Sequence, residues 1–114
     1  MTDCLFCKIV AGEIPADKVY EDDHVIAFRD IAPKAPTHVL VIPRRHISTL
    51  NELTPEDAEL VGRMYLAARD VAHRERIAEP GYRTVVNCNA DGGQAVYHIH
   101  LHLLGGRSLK WPPG

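Results

Sequence analysis

The sequence predicts an α+β fold: a five-stranded antiparallel sheet carrying one long and one short helix. Three observations lead there. The apolar segments follow the order β-β-β-α-β-β with short turns between them, and short turns join antiparallel strands. The stretch Tyr97-His98-Ile99-His100-Leu101-His102-Leu103-Leu104 alternates polar and apolar residues with the period of two of a strand. Leu60, Val61, Met64, Ala68 and Val71 recur instead at helical spacing. An antiparallel sheet of this kind is expected to keep its helices on one side.

Element by element, Cys4 to Ala11 reads as a short helix closed by Gly12, a residue suited to the position just past a helix end. Pro15 blocks its continuation. Lys18–Glu21 and His24–Asp30 read as two strands of a hairpin around Asp22-Asp23. Ile26, Phe28 and Asp30 then share a face. Ala32-Pro33-Lys34-Ala35-Pro36 is a stiff loop. Thr37 to Ile42 is a third strand, its run Val39-Leu40-Val41-Ile42 implying burial on both faces, and Pro43 is expected to end it. Thr54-Pro55-Glu56-Asp57 combines a capping residue, a proline for the first turn and early acids. That helix should reach about His73–Glu75. Pro80-Gly81 is a turn, Arg83 to Cys88 a fourth strand, Asn89–Gly93 a turn cluster and the histidine row the fifth strand. The Pro/Gly-rich tail from Gly105 to Gly114 has no regular pattern.

The chain of 114 residues implies one domain, 1–114. Apolar content of 46% and charged content of 25% are those of a water-soluble globular protein. A formal charge of −2 argues against nucleic acid as a partner. The start Met-Thr-Asp-Cys lacks the basic and apolar regions of a secretory leader, and no apolar run is long enough to span a membrane, so no membrane partner is expected. Three cysteines, an odd number, are expected to be reduced, which points to the cytoplasm.

The histidine row is where chemistry is expected. Three of the seven histidines occupy one strand face, about 6.6 Å apart along the strand. A neutral imidazole attacks phosphorus at physiological pH without prior deprotonation. The chain has no Gly-x-Ser-x-Gly elbow and no P-loop. Phosphate chemistry here would run on histidine; the plain alternative is a solvated polar face. Asp91-Gly92-Gly93-Gln94 leads into the row, and its glycines suit either a hairpin turn or a backbone cradle for an anion. Phe6 and Ile9 share a helix face while Phe28 and Asp30 share a strand face. An apolar slot beside a carboxylate suits a purine and its ribose, although such residues are also ordinary core, and Asp30 is equally suited to capping a loop. Cys4 and Cys7 have metal-ligand spacing, which leaves open a zinc site, a redox pair or two inert thiols. Cys88 reads as a small buried hydrophobe.

His98-Ile99-His100-Leu101-His102-Leu103-Leu104 resembles the His-φ-His-φ-His-φ-φ motif of histidine-triad (HIT) proteins, φ being apolar. The resemblance extends along the chain. It takes in Cys4–Val10, Ala35-Pro36-Thr37-His38, Ile42–Ile47, Gly92-Gly93-Gln94 and the ending Leu104-Gly105-Gly106-Arg107…Trp111-Pro112-Pro113-Gly114. Together these resemble the Hint branch, of the purine nucleoside phosphoramidase type. The resemblance implies a hydrolase for purine nucleoside 5′-phosphoramidates that works through a nucleotidyl-histidine. Alternatives are dinucleoside polyphosphate hydrolysis or nucleotidyl transfer, and a zinc-stabilised nucleotide-binding module. It implies His100 as nucleophile, with a carbonyl of its own strand taking its Nδ1 proton, and His102 and His38 as partners at the phosphate. It implies Asp30 at the ribose, Phe6, Ile9, Phe28 and Ile31 at base or sugar, and Asn87, Gly93 and Gln94 at the phosphate or leaving group. Ala95 stands where many relatives carry a serine whose hydroxyl helps the departing amine. Cys4, Cys7, His46 and His98 are implied as a structural zinc site, with no organic cofactor. A homodimer is implied, with part of the long helix at its interface and its two sheets joined into ten strands. Trp111, in the irregular tail, suits an anchor on that partner or packing within its own chain.

Overall fold

The computed structural model describes residues 3–114. Strands β1 (Lys18–Glu21), β2 (Val25–Arg29), β3 (Thr37–Pro43), β4 (Tyr82–Val85) and β5 (Leu101–Gly105) form one sheet, ordered β1-β2-β3-β5-β4, every neighbouring pair antiparallel. Helix α1 (Leu5–Val10) precedes the sheet, and α2 (Ala58–Arg74) lies between β3 and β4 in the chain. Sheet class and element order are those the sequence predicts. No helix among the described residues is long and apolar enough to cross a membrane.

The two helices cover opposite faces of the sheet, not one side as expected. Val25, Ala27, Val39, Val41, Leu101 and Leu103 pack with Met64, Ala67, Ala68 and Val71 of α2. The intervening residues Ile26, Phe28, Leu40 and Ile42 pack with Phe6 and Ile9 of α1. Alternation sends neighbouring side chains to opposite faces, so a strand apolar at every position needs a cover on each side. The fully buried β3 is that strand. α1 is the second cover, and on it depends the position of the site.

Local chemistry sets the ends of the elements. Cys4 caps α1, its Sγ accepting the Cys7 N–H at 3.3 Å, and Gly12 follows the helix at φ +78°. Asp22 closes the first hairpin by accepting the N–H groups of His24 and Val25 at 2.7 and 2.9 Å. Thr54 and Asp57 form a capping box, but Pro55–Asp57 winds as a 3₁₀ turn before α2 begins.

β2 (Val25–Arg29) is one residue shorter at each end than expected and β4 starts one residue earlier, at Tyr82. Three further differences bear on the site. β3 continues through Pro43, which pairs with Val25. β4 stops at Val85, which pairs with His102 one residue inside β5, and residues 86–88 lie outside the strand. β5 is shorter than the histidine row and excludes His98 and His100. Its register against β3 would place Ile99 opposite Pro43, which has no N–H to offer. The Ile99 N–H donates instead to the Ile47 carbonyl at 2.7 Å.

Candidate active site and metal centre

The alternation of the histidine row outlasts its ladder hydrogen bonds. Ile99, Leu101 and Leu103 are buried on the α2 face. On the other face His98 and His100 stand edge-on to Phe6, with ring centroids 5.9 and 5.1 Å from it, and His102 pairs with Leu40. The three rings share a face yet occupy different surroundings.

His98 is fully buried. Its Nε2–H donates to the Pro43 carbonyl at 2.8 Å, so Nδ1 carries the lone pair. That atom lies 3.5 Å from Cys4 Sγ and 3.6 Å from Cys7 Sγ, while His46 Nδ1 lies 3.2 Å from Cys7 Sγ. All four donor atoms fall within 4.8 Å of one another. Tetrahedral zinc, with bonds of about 2.3 Å to sulfur and 2.0–2.1 Å to nitrogen, spaces such donors about 3.5 Å apart. Donor types, spacing and the His98 tautomer therefore fit a closed Cys2His2 site. Burial raises the Cys7 thiol pKa, with Cys4 adding to the effect, as for thiols gathered without a counter-charge.

His100 donates its Nδ1–H to the His98 carbonyl at 2.8 Å, which leaves the lone pair on Nε2. Burial lowers the pKa of His100, and also that of His38, so both imidazoles are neutral near pH 7. His38 accepts the backbone N–H of Lys34 at Nδ1 (3.0 Å), so its proton sits on Nε2. That atom is 2.9 Å from His102 Nδ1 and 3.4 Å from Asp30 Oδ2. Accepting the shorter bond at Nδ1 puts the His102 proton on Nε2. His102 Nε2 is buried without a hydrogen-bond partner. The result is a directed chain, Lys34 N–H to His38 to His102, ending in an unsatisfied N–H donor beside a ring whose Nε2 has a free lone pair. The ring centroids of His100 and His102 are 5.0 Å apart. Burial, then the neighbouring His100 and His38, push the His102 pKa down to about 4.

Asp30, His38 and His102 also cluster tightly enough to suggest a second metal site. The tautomers argue against one. A metal at His38 Nε2 would drive the proton to Nδ1, where it would oppose the Lys34 N–H.

The remaining predicted residues divide. Phe6, Ile9 and Phe28 gather in one cluster, each only 4–5% exposed, and so present edges to solvent. Ile31 is fully exposed in the loop after β2 and is not a member of that cluster. Asp30 caps that loop by accepting the Ala32 N–H at 2.8 Å while its other oxygen faces His38. Asn87 and Gly93 flank the 3₁₀ turn Ala90–Gly92, with Gly93 at φ +82°, and Ala95 is exposed. Gln94, expected at the phosphate, is buried and directed inward. Its Oε1 accepts the Asn89 N–H at 2.8 Å, and its Nε2 donates to the carbonyls of Ser48 at 2.8 Å and Val96 at 3.2 Å. It thereby holds Asn89 in a conformation, φ +60° and ψ −173°, that is costly for any residue but glycine.

Sequence reasoning missed two backbone groups that orient the rings, the carbonyl of Pro43 and the amide of Lys34. No residue type signals such a role.

A family model described as scavenger mRNA decapping enzyme C-term binding matches residues 3–110. The chain is 54% identical over 107 residues to a protein of Escherichia coli K12 named purine nucleoside phosphoramidase, covering 94% of this chain and 90% of that one. It is 56% identical over 112 residues to an uncharacterized HIT-like protein of Synechococcus elongatus, covering 98% and 97%. Among solved structures, a HIT family hydrolase from Legionella pneumophila superposes with a TM-score of 0.97 at 56% identity, covering 98% of this chain and all of that one.

Proposed function

The chain belongs to the histidine-triad family, and from that premise we propose that it is a purine nucleoside phosphoramidase acting through a nucleotidyl-His100 intermediate. The observation that carries this reading is the pair of fixed tautomers: a free lone pair on His100 Nε2 and an unsatisfied N–H on His102 Nε2. A nucleophile and a donor for a phosphoryl oxygen then need no rearrangement before reaction.

In the proposed mechanism the purine lies against the edges of Phe6, Ile9 and Phe28, with Ile31 over it and Asp30 at the ribose hydroxyls. Asn87 and the Gly93 backbone meet the phosphate, while Gln94 holds their loop. His100 Nε2 attacks the α-phosphorus; a phosphorus–nitrogen bond forms to His100 and the bond to the amine breaks. His102 Nε2–H supports the charge on the phosphoryl oxygen, and His38 keeps that proton aimed. With Ala95 supplying no hydroxyl, the departing amine takes its proton from water. Water then attacks the nucleotidyl-His100, releasing the nucleoside monophosphate and restoring the imidazole. The carbonyl of His98 holds the Nδ1 proton throughout.

For Cys4, Cys7, His46 and His98 we propose zinc. When bound it supplies no chemistry at phosphorus; it joins α1 to the segment before β5, since a six-residue helix is too short to hold itself. The proposed assembly is a homodimer joining two sheets into ten strands. It is supported by β4 at a sheet edge and by exposed Tyr65, Leu66 and Trp111.

Mass spectrometry after brief exposure to adenosine phosphoramidate should find an adenylyl adduct on His100. His100→Ala should lower kcat by about 10⁴-fold or more while the protein still binds nucleotide. An adduct on another residue, or near-normal turnover by His100→Ala, refutes the mechanism.

A further inference from the structure

We propose that His98 is a positioning residue that couples metal occupancy at Cys4, Cys7, His46 and His98 to the orientation of His100, and hence to nucleotide affinity. This rests on the reading of the two sites given above and goes beyond it: the metal centre and the nucleophile act as one unit.

Three separate contacts connect them. First, three polar groups of His98 face three different tasks. Nε2–H is fixed to the Pro43 carbonyl, Nδ1 faces the two thiols, and the carbonyl holds the Nδ1–H of His100 at 2.8 Å. Second, the carbonyl of His98 and the N–H of Ile99 belong to one planar peptide unit. That N–H donates to the carbonyl of Ile47, the residue after His46, at 2.7 Å. Drawing His46 and His98 onto a common ion therefore anchors this peptide at both ends. Tilting the plane would turn the carbonyl away from His100 Nδ1 and release the ring. Third, Phe6 lies between Cys4 and Cys7 in α1 and stands edge-on to both His98 and His100. Fixing the two cysteines fixes the wall against which His100 rests.

The peptide also lies outside the regular sheet. Ladder pairing of β5 starts at Leu101, so the carbonyl that orients His100 has no strand bond of its own to steady it. A metal is the group that can supply the missing constraint. Because coupling between two binding sites is reciprocal, nucleotide must tighten metal by the factor by which metal tightens nucleotide.

Cobalt(II) is the probe, since tetrahedral thiolate coordination makes it visible by absorption. The metal-free full chain is titrated with cobalt, and the loaded protein is then titrated with adenosine 5′-monophosphate. The ligand-field bands are expected to shift on saturation, although no atom of the nucleotide is placed on the metal. The nucleotide should bind the loaded form about fivefold or more tightly than the metal-free form, and cobalt affinity should rise by the same factor when nucleotide is present. Cys7→Ser should bind nucleotide at the metal-free level whether or not cobalt is added. The band shift needs only loaded protein, so it decides the question even if the metal-free chain or the variant folds poorly. Cobalt binding with an unmoved spectrum and equal nucleotide affinities overturns the coupling and leaves the metal site standing. Absence of a tetrahedral cobalt spectrum overturns the metal reading and the coupling together.

Discussion

Acidification tests the electrostatics of the site through stability as well as through turnover. The His102 pKa is held at about 4, first by burial and then by the neighbouring His100 and His38, with Asp30 opposing weakly. In the unfolded chain a histidine titrates near 6.5. Between those values the unfolded state binds the proton and the folded state does not, so stability must fall as pH falls. The contribution is complete above about pH 6.5 and is lost progressively toward pH 4. For these two values the loss is about 1 kcal/mol by pH 6, about 2 by pH 5 and about 3 by pH 4. Urea unfolding at each pH, on the wild type and on His102→Gln, reads the difference directly. The wild-type curve should steepen relative to the variant's between pH 6.5 and 4 by about 2–3 kcal/mol. Curves that stay parallel, or a His102 resonance titrating near 6.5 by NMR, would show that the ring is not buried beside two other imidazoles as described.

Two further outcomes follow from packing and from hydrogen bonding. A Cβ built on Gly105 falls 2.7 Å from Ile77 Cδ1 and 3.1 Å from Ile77 Cβ, and Ile77 is itself buried. Gly105→Ala should therefore destabilise by about 1–3 kcal/mol, read as a lower urea midpoint; an unchanged midpoint would mean that Ile77 can move. Gln94→Ala strands the Asn89 N–H and the Ser48 and Val96 carbonyls. The Asn89 amide should lose hydrogen-exchange protection and KM for a nucleotide substrate should rise, with global stability falling by about 1–3 kcal/mol. Retained protection at Asn89 would refute the clamp.

The elements legible in the sequence are those decided by residues close in the chain. The cap at Thr54, the turn at Asp22 and the spacing of Met64, Ala68 and Val71 act within a few positions, and each element formed where expected. A boundary slipped where a partner strand decided it: β5 begins at Leu101 because of what lies opposite. The side of the sheet taken by α1 was misjudged for the same reason. The apolar run of β3 does demand two covers, yet nothing local says that a six-residue helix provides one of them.

Which side chains could do chemistry is readable from residue order alone. A period of two puts three histidines on one face, and the spacing of Cys4 and Cys7 puts two thiols on one side of a helix. What each ring can do depends on contacts made in three dimensions. An imidazole is nucleophile, donor or ligand according to where its proton sits, and the partner of its other nitrogen fixes that. Here the partners are the Pro43 carbonyl for His98, the His98 carbonyl for His100, and the Lys34 amide acting through His38 for His102. Apart from the His98 carbonyl, these groups reach the rings across the fold, and backbone groups look alike in every sequence. The row is written in the chain, but the proposed division of its rings into a metal ligand, a nucleophile and a proton donor rests on which amides and carbonyls the fold brings against it.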